Sequence, residues 1–228
     1  MKELTLCLSM TMPWSSFFSD AQTGRFCRGV ASLQVLVFQD FADDSFLAHI
    51  GEWCHLLTKL DVQGSVCVTD VGLSKLEYLS KLQYLDVNRT EISANSLHSF
   101  LEKMPNIVSL GTWDDFSNIL EKPCVNFVEI RTSSLTQSQI QTMSSLCQDL
   151  VSLELKITNN SFKLQCLSNL LSLTSLSMSG VNYKQSRLVV AMLALAQKLK
   201  HLSFDHVNGL DTGDLRTIGQ DCTKLGNA

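Results

Sequence analysis

Apolar residues recur along the chain in the pattern Leu-x-x-Leu-x-Leu, with conservative replacements. The pattern opens at Met1 (MKELTL), Leu33 (LQVLVF), Leu57 (LTKLDV), Leu82 (LQYLDV) and Ile107 (IVSLGT). It opens again at Phe127 (FVEIRT), Leu150 (LVSLEL), Leu173 (LTSLSM) and Leu199 (LKHLSF), and a last interval closes at Leu225. Subtracting each start from the next gives steps of 32, 24, 25, 25, 20, 23, 23, 26 and 26 residues. Alternation at period two predicts one strand per unit, its leucines turned inward and the residues between them on the opposite face.

The second half of each unit carries a helical period. Ser93-Ala94-Asn95-Ser96 precedes Leu97, Phe100, Leu101 and Met104, spaced i, i+3, i+4, i+7, so Ser93 is expected to cap a helix. Thr136-Gln137-Ser138-Gln139 reads as a capping box ahead of Ile140, Met143 and Cys147. Thr69-Asp70 and Asp211-Thr212 take the same place before Leu73-Leu76 and Leu215-Ile218, and Val189, Met192, Leu193 and Ala196 repeat the stripe. One strand and one helix per step resembles the leucine-rich repeat. The expected fold is an α/β leucine-rich-repeat solenoid, a horseshoe with a concave parallel sheet and convex helices. It forms a single domain over 1–228 with about eight to nine repeats.

Irregularities carry expectations too. The Ile107 repeat is short, contains Pro123, and is expected to lack a full helix. The long first interval carries Pro13, Trp14, Phe17 and Phe18, either a protruding aromatic contact or packing over the first repeat's open edge; the second is favoured. Neither end shows a polar cap, so the chain reads as truncated at both ends, a fragment or shortened isoform.

Eight cysteines occur with no Cys-x-x-Cys among them. Cys54, Cys124, Cys147 and Cys222 each lie three residues before a repeat start, where other units hold Leu79, Met104, Leu170 and Ala196. A position that accepts Cys, Leu, Met or Ala is a buried apolar site at a helix end. Structural disulfides and metal ligation are therefore not expected, and a cytoplasmic or nuclear setting is.

The helix-end cysteine, together with Val68-Thr69-Asp70-Val71-Gly72-Leu73, resembles the cysteine-containing, ribonuclease-inhibitor-like repeats of F-box proteins. Those proteins choose substrates for cullin ubiquitin ligases. LQYLDVNRTEIS and LTKLDVQGSVCVTDVGLSKL are similar to repeats of the Zyg-eleven type cullin receptors. The resemblance implies a substrate-recognition or adaptor subunit of a cullin-RING ubiquitin ligase, meeting cullin or its adaptor through a segment outside these residues. The chain departs from that pattern in showing no F-box-like or VHL-box-like stretch ahead of the first repeat. It also departs at the ninth repeat position, which holds Phe41, Ser65, Thr90, Asp115, Leu135, Thr158, Val181 and Val207. An asparagine ladder is thereby excluded, leaving loop hydrogen bonds to hydroxyls and backbone. The alternative reading is a general scaffold or inhibitor-like binder with no ligase link. An extracellular receptor ectodomain is disfavoured by the lack of flanking disulfide caps.

In-register parallel strands place equivalent positions in ladders about 4.8 Å apart. The third reads Val35, Lys59, Tyr84, Ser109, Glu129, Ser152, Ser175, His201; the fifth Val37, Asp61, Asp86, Gly111, Arg131, Glu154, Ser177, Ser203. The seventh reads Gln39, Gln63, Asn88, Trp113, Ser133, Lys156, Ser179, Asp205. Candidate partner-binding residues on this face are Asp61, Tyr84, Asp86, Asn88, Trp113, Glu129, Arg131, Glu154 and Lys156. Tyr84 and Trp113 offer aromatic surface, with Gly111 leaving space beside the tryptophan. Asp61 and Asp86 are like charges on neighbouring strands, a cost that a cationic partner group offsets. Arg131 stands between Glu129 and Glu154 and is expected to pair with them.

Composition narrows the chemistry. A chain that is 45% hydrophobic and 18% charged has ample apolar content for a core. A net charge of -4 argues against nucleic acid, which needs a basic stripe. No apolar run approaches the roughly 18 residues of a membrane span, and Glu3 breaks the basic region that a secretory leader would need. Five scattered histidines and the absence of a Gly-rich phosphate loop, His-Glu-x-x-His or Gly-x-Ser-x-Gly give no catalytic constellation. No enzyme activity, cofactor or metal is expected.

Overall fold

Every strand begins at the third residue of its repeat. In the computed structural model, which describes residues 2–7, 12–112, 127–132, 135–157, 163–184 and 187–225, the chain forms two units, Met1–Thr112 and Trp113–Ala228. The first holds strands β1 (Glu3–Cys7), β2 (Val35–Gln39), β3 (Lys59–Asp61), β4 (Tyr84–Asp86) and β5 (Ser109–Thr112). Its helices are α1 (Asp20–Gly29), α2 (Asp44–Trp53), α3 (Asp70–Lys75) and α4 (Ala94–Lys103). The second holds β6 (Glu129–Thr132), β7 (Ser152–Lys156), β8 (Ser175–Ser179) and β9 (His201–Asp205), with α5 (Gln137–Leu146), α6 (Leu188–Leu195) and α7 (Thr212–Asp221). A 3-10 turn over Gln165–Asn169 stands where one helix would be.

Strands within each unit pair in parallel with their chain neighbours. Glu3, Val35, Lys59, Tyr84 and Ser109 form one row, and Glu129, Ser152, Ser175 and His201 another. These are the third-position ladders of the repeat. Behind them Leu36, Leu60, Leu85 and Leu110 are at most 1% exposed. Fully burying a leucine contributes about 1.5–3 kcal/mol, and a one-residue slip would turn such a row outward, so the register is firmly set.

The expected caps are present. Ser93 accepts the Ser96 N–H at 3.2 Å, Thr69 the Val71 N–H at 3.2 Å and Asp211 the Asp214 N–H at 2.9 Å. Thr136 and Gln139 form the reciprocal box ahead of α5. Cys54, Cys147 and Cys222 are C-cap residues and are 0%, 3% and 3% exposed. Each also spends its carbonyl on the first residue of the next repeat, accepting from the N–H of Leu57, Leu150 and Leu225 at 3.0, 3.2 and 3.2 Å. Val30, Leu79, Met104 and Leu170 do the same toward Leu33, Leu82, Ile107 and Leu173. Burial pushes the Cys54 and Cys147 thiols up to about 11. It pushes Cys27 to about 12, with nearby Cys54 adding to the effect. These are neutral packing groups, poor nucleophiles at ordinary pH.

Two regularities were not visible in the pattern. The eighth repeat position turns the chain off the strand in the left-handed region, at Asp40, Gly64, Arg89, Gly180 and His206 (φ 75°, 79°, 57°, 71° and 49°). In addition, the first residue of a helix clasps the next repeat. The Asp44 carboxylate accepts from the Thr69 N–H, the Thr69 hydroxyl and the Gly72 N–H. A side chain at Gly72 would collide with that carboxylate, so glycine is needed there. Asp70 accepts likewise from Ser93, and Gln137 exchanges two bonds with the Lys163 backbone. Hydroxyls serve where an asparagine ladder would run: Ser65 accepts the Ala42 N–H at 3.1 Å, and Thr90 donates to the Val87 carbonyl at 2.7 Å.

The long first interval folds as a 3-10 turn (Trp14–Ser16) followed by α1. Trp14 is 6% exposed, with Phe18 stacked on it at 4.1 Å and Phe26, Phe38, Phe41 and Phe46 around it. Local packing is thus the right reading for Trp14, while Phe17 and Phe18 stay exposed. Pro123 and Cys124 lie outside the described residues.

Candidate functional site

Alternation along β2 to β5 presents the odd repeat positions of the first unit on one face, and cross-strand contacts hold them there. Lys59 and Tyr84 are register partners. The Lys59 ammonium sits 4.1 Å from the Tyr84 ring centroid, a cation–π contact of about 0.5–1 kcal/mol at an exposed site. Asp61 and Asp86 are also register partners. Asp61 accepts from Gln39 Nε2 at 2.9 Å and from the Gln63 N–H at 3.1 Å. Asp86 accepts from the Asn88 N–H at 3.1 Å and, more loosely, from the Tyr84 hydroxyl at 3.5 Å. Donors inside the face therefore share the cost of two adjacent carboxylates.

Burial grades the candidates. Asp61, Asp86 and Asn88 are only 7%, 3% and 6% exposed, so they brace the face more than they offer area. Tyr84 is half-buried, as are Lys59 beside it and Val35 and Val37 on β2 beyond. Gly111 has φ 66°, and a side chain there would run into the Asp86 carboxylate and the Tyr84 hydroxyl. The space at Gly111 itself is thus filled by Tyr84 and Asp86. Trp113 itself lies outside the described residues.

In the second unit Arg131 is paired as its position implied. It contacts Glu129 Oε1 through Nη2 at 2.6 Å and Nε at 2.8 Å, with Glu154 Oε2 at 3.9 Å from Nε. Arg131, Glu154 and Lys156 are exposed and Glu129 is half-buried. Serines at 152, 175, 177, 179 and 203 add polar, uncharged positions to this face, which β9 ends with His201 and Asp205. Lys59, Gln39 and Gln63 were not singled out from sequence; the available signals were the register of Lys59 opposite Tyr84 and the seventh-position place of both glutamines, next along from Val37 and Asp61. Among the described residues no three His, Cys, Asp or Glu side chains gather as metal ligands, and no helix is long and apolar enough to cross a membrane.

These features define the class: an α/β leucine-rich-repeat solenoid. No family model matches the chain, and no curated protein matches it significantly. Among solved structures, TLR13 in its complex with ssRNA13 is similar, with TM-score 0.53 and 14% identity over 91% of this chain and 33% of that one. This likeness supports the fold alone, and the chain spans about a third of the TLR13 chain's length. Looser likenesses, which carry no argument, are to a leucine-rich-repeat protein of Leptospira interrogans and to the yeast Rad7–Elc1 complex. The first has TM-score 0.46 and 14% identity over 87% of this chain and 61% of that one. The second has TM-score 0.40 and 13% identity over 91% and 82%.

Proposed function

We propose that this chain is a non-enzymatic protein-binding module that takes its partner on the strand face. In this reading it acts in the cytoplasm or nucleus as the substrate-recognition or adaptor subunit of a cullin-RING ubiquitin ligase. The observation that carries the binding role is the braced row of Lys59 and Tyr84 over Asp61 and Asp86. An aromatic ring held by the Lys59 cation and, more loosely, by the Asp86 carboxylate loses little freedom on docking, and aromatic anchors dominate interface energetics. Half-buried Val35 and Val37, on β2 beyond Lys59 and Asp61, supply apolar area on the same face. Asp86 and Asn88 position the anchor, and the charged set Glu129, Arg131, Glu154 and Lys156 gives the second unit's face its own polar contacts.

A net charge of -4 favours a protein partner over a phosphate backbone. The single-stranded RNA of the TLR13 complex is therefore not carried over. The ligase role rests on the resemblance of the helix-end cysteine repeats.

Affinity purification of the tagged chain from cells tests both parts. Tyr84→Ala with Trp113→Ala is expected to reduce partner recovery at least about fivefold without unfolding the chain, and cullin with its adaptors is expected among the partners. Undiminished recovery would overturn the face; reproducible absence of cullin would overturn the ligase role.

A further inference from the structure

A second site lies apart from the strand face. Trp14, Phe17, Phe18 and Phe26 wall a groove of about 600 Å³ beside β1, within the roughly 300–1,000 Å³ range of small-ligand sites. The Trp14 indole N–H is spent on Thr23 Oγ1 at 2.7 Å, so the rings offer the groove only carbon surface. Phe17 and Phe18 are 50% and 39% exposed, an apolar area left wet beside α1.

The groove's polar wall is made of donors. Gln22 Oε1 accepts both the Ser19 N–H at 2.8 Å and the Ser19 hydroxyl at 3.0 Å, which leaves the amide NH₂ as its free half. Arg25 is exposed, lines the same groove and makes no ion pair among the described residues. Five guanidinium N–H groups and an amide NH₂ at an aromatic slot recognise an acceptor, best an anion. We propose that this groove binds an apolar carboxylate, its hydrocarbon chain among the four rings and its carboxylate on Arg25 and Gln22.

Calorimetric titration of the whole chain with dodecanoate below its micelle concentration tests this, with dodecanol and dodecyltrimethylammonium as head-group controls. One saturable dodecanoate site is expected, and Arg25→Gln should weaken it about tenfold while leaving dodecanol unaffected. Phe17→Ser should weaken dodecanoate and dodecanol alike. Both side chains are exposed, so both variants should melt with the parent. Equal binding of dodecanol or the ammonium amphiphile, indifference to both substitutions, or no saturable binding would each overturn the proposal.

Discussion

The Asp44 carboxylate, in the first turn of α2, holds the backbone N–H and the hydroxyl of Thr69, the cap of α3, at 2.8 and 2.7 Å. The same carboxylate takes the Gly72 N–H at 3.0 Å, and Asp70 repeats the arrangement toward Ser93 at 2.7 and 2.9 Å. These two carboxylates therefore fix where the next helix starts, for α3 and for α4. In a quasi-one-dimensional stack, where stability is a sum over neighbours, such clasps couple one repeat to the next.

Asp44→Ala strips three hydrogen bonds from that junction, two of them to backbone donors. Loss of about 2–3 kcal/mol is expected, read as a lower denaturant midpoint. An unchanged midpoint would show that the clasp contributes nothing.

Gly111→Ala puts a side chain at φ 66° into the Asp86 carboxylate and the Tyr84 hydroxyl. Destabilisation of about 1–3 kcal/mol is expected. Gly29, where an added Cβ meets nothing within 4 Å, is the control: its alanine variant should melt at or above the parent temperature. Equal melting of the two variants would contradict the close approach at Gly111.

Thiol chemistry separates packing cysteines from exposed ones. Cys67 is exposed, whereas Cys27, Cys54 and Cys147 are buried with thiols pushed to about 12, 11 and 11. Iodoacetamide at pH 8 should label Cys67 in the native protein and reach the other three only on unfolding, as mass spectrometry would show. Native labelling of Cys54 at the rate of Cys67 would be incompatible with its place in the helix end.

Acid titration reads the clasp between Lys184 and α7. The Lys184 hydrogen bond, followed by the Asp214 N–H, lowers Asp211 from 3.8 to about 2. A depressed carboxyl stabilises the fold above its unfolded value of 3.8; that contribution fades as pH falls toward about 2. Carboxyl NMR should place the Asp211 midpoint near 2 and move it up in Lys184→Ala. Because Asp211 is exposed, salt should weaken the shift.

Leucine spacing made the strand starts, the caps at Ser93, Thr136 and Asp211, and the buried helix-end cysteines legible, because each follows from periodicity or local hydrogen bonding. Helix α1 was not legible, since its buried side is Thr23, Gly24 and Cys27 rather than a leucine stripe. The left-handed eighth position was hidden because only Gly64 and Gly180 advertise it; Asp40, Arg89 and His206 adopt it under the pull of the ladder. At the candidate face the repeat spacing made Asp61 and Asp86 legible as neighbours on adjacent strands, with Tyr84 two residues before Asp86. Their burial, the Lys59 contact and the filling of the Gly111 gap depend on side-chain reach, which spacing does not encode.

Site-directed photo-crosslinking tests the strand-face reading most directly. Benzoylphenylalanine placed at Val37 or Tyr84, on the strand face, is compared with the same group at Val71 or Leu215, exposed on α3 and α7. The expected result is one partner joined to positions 37 and 84 and absent from 71 and 215. Crosslinks to that partner from 71 or 215, with none from 37 or 84, would contradict it.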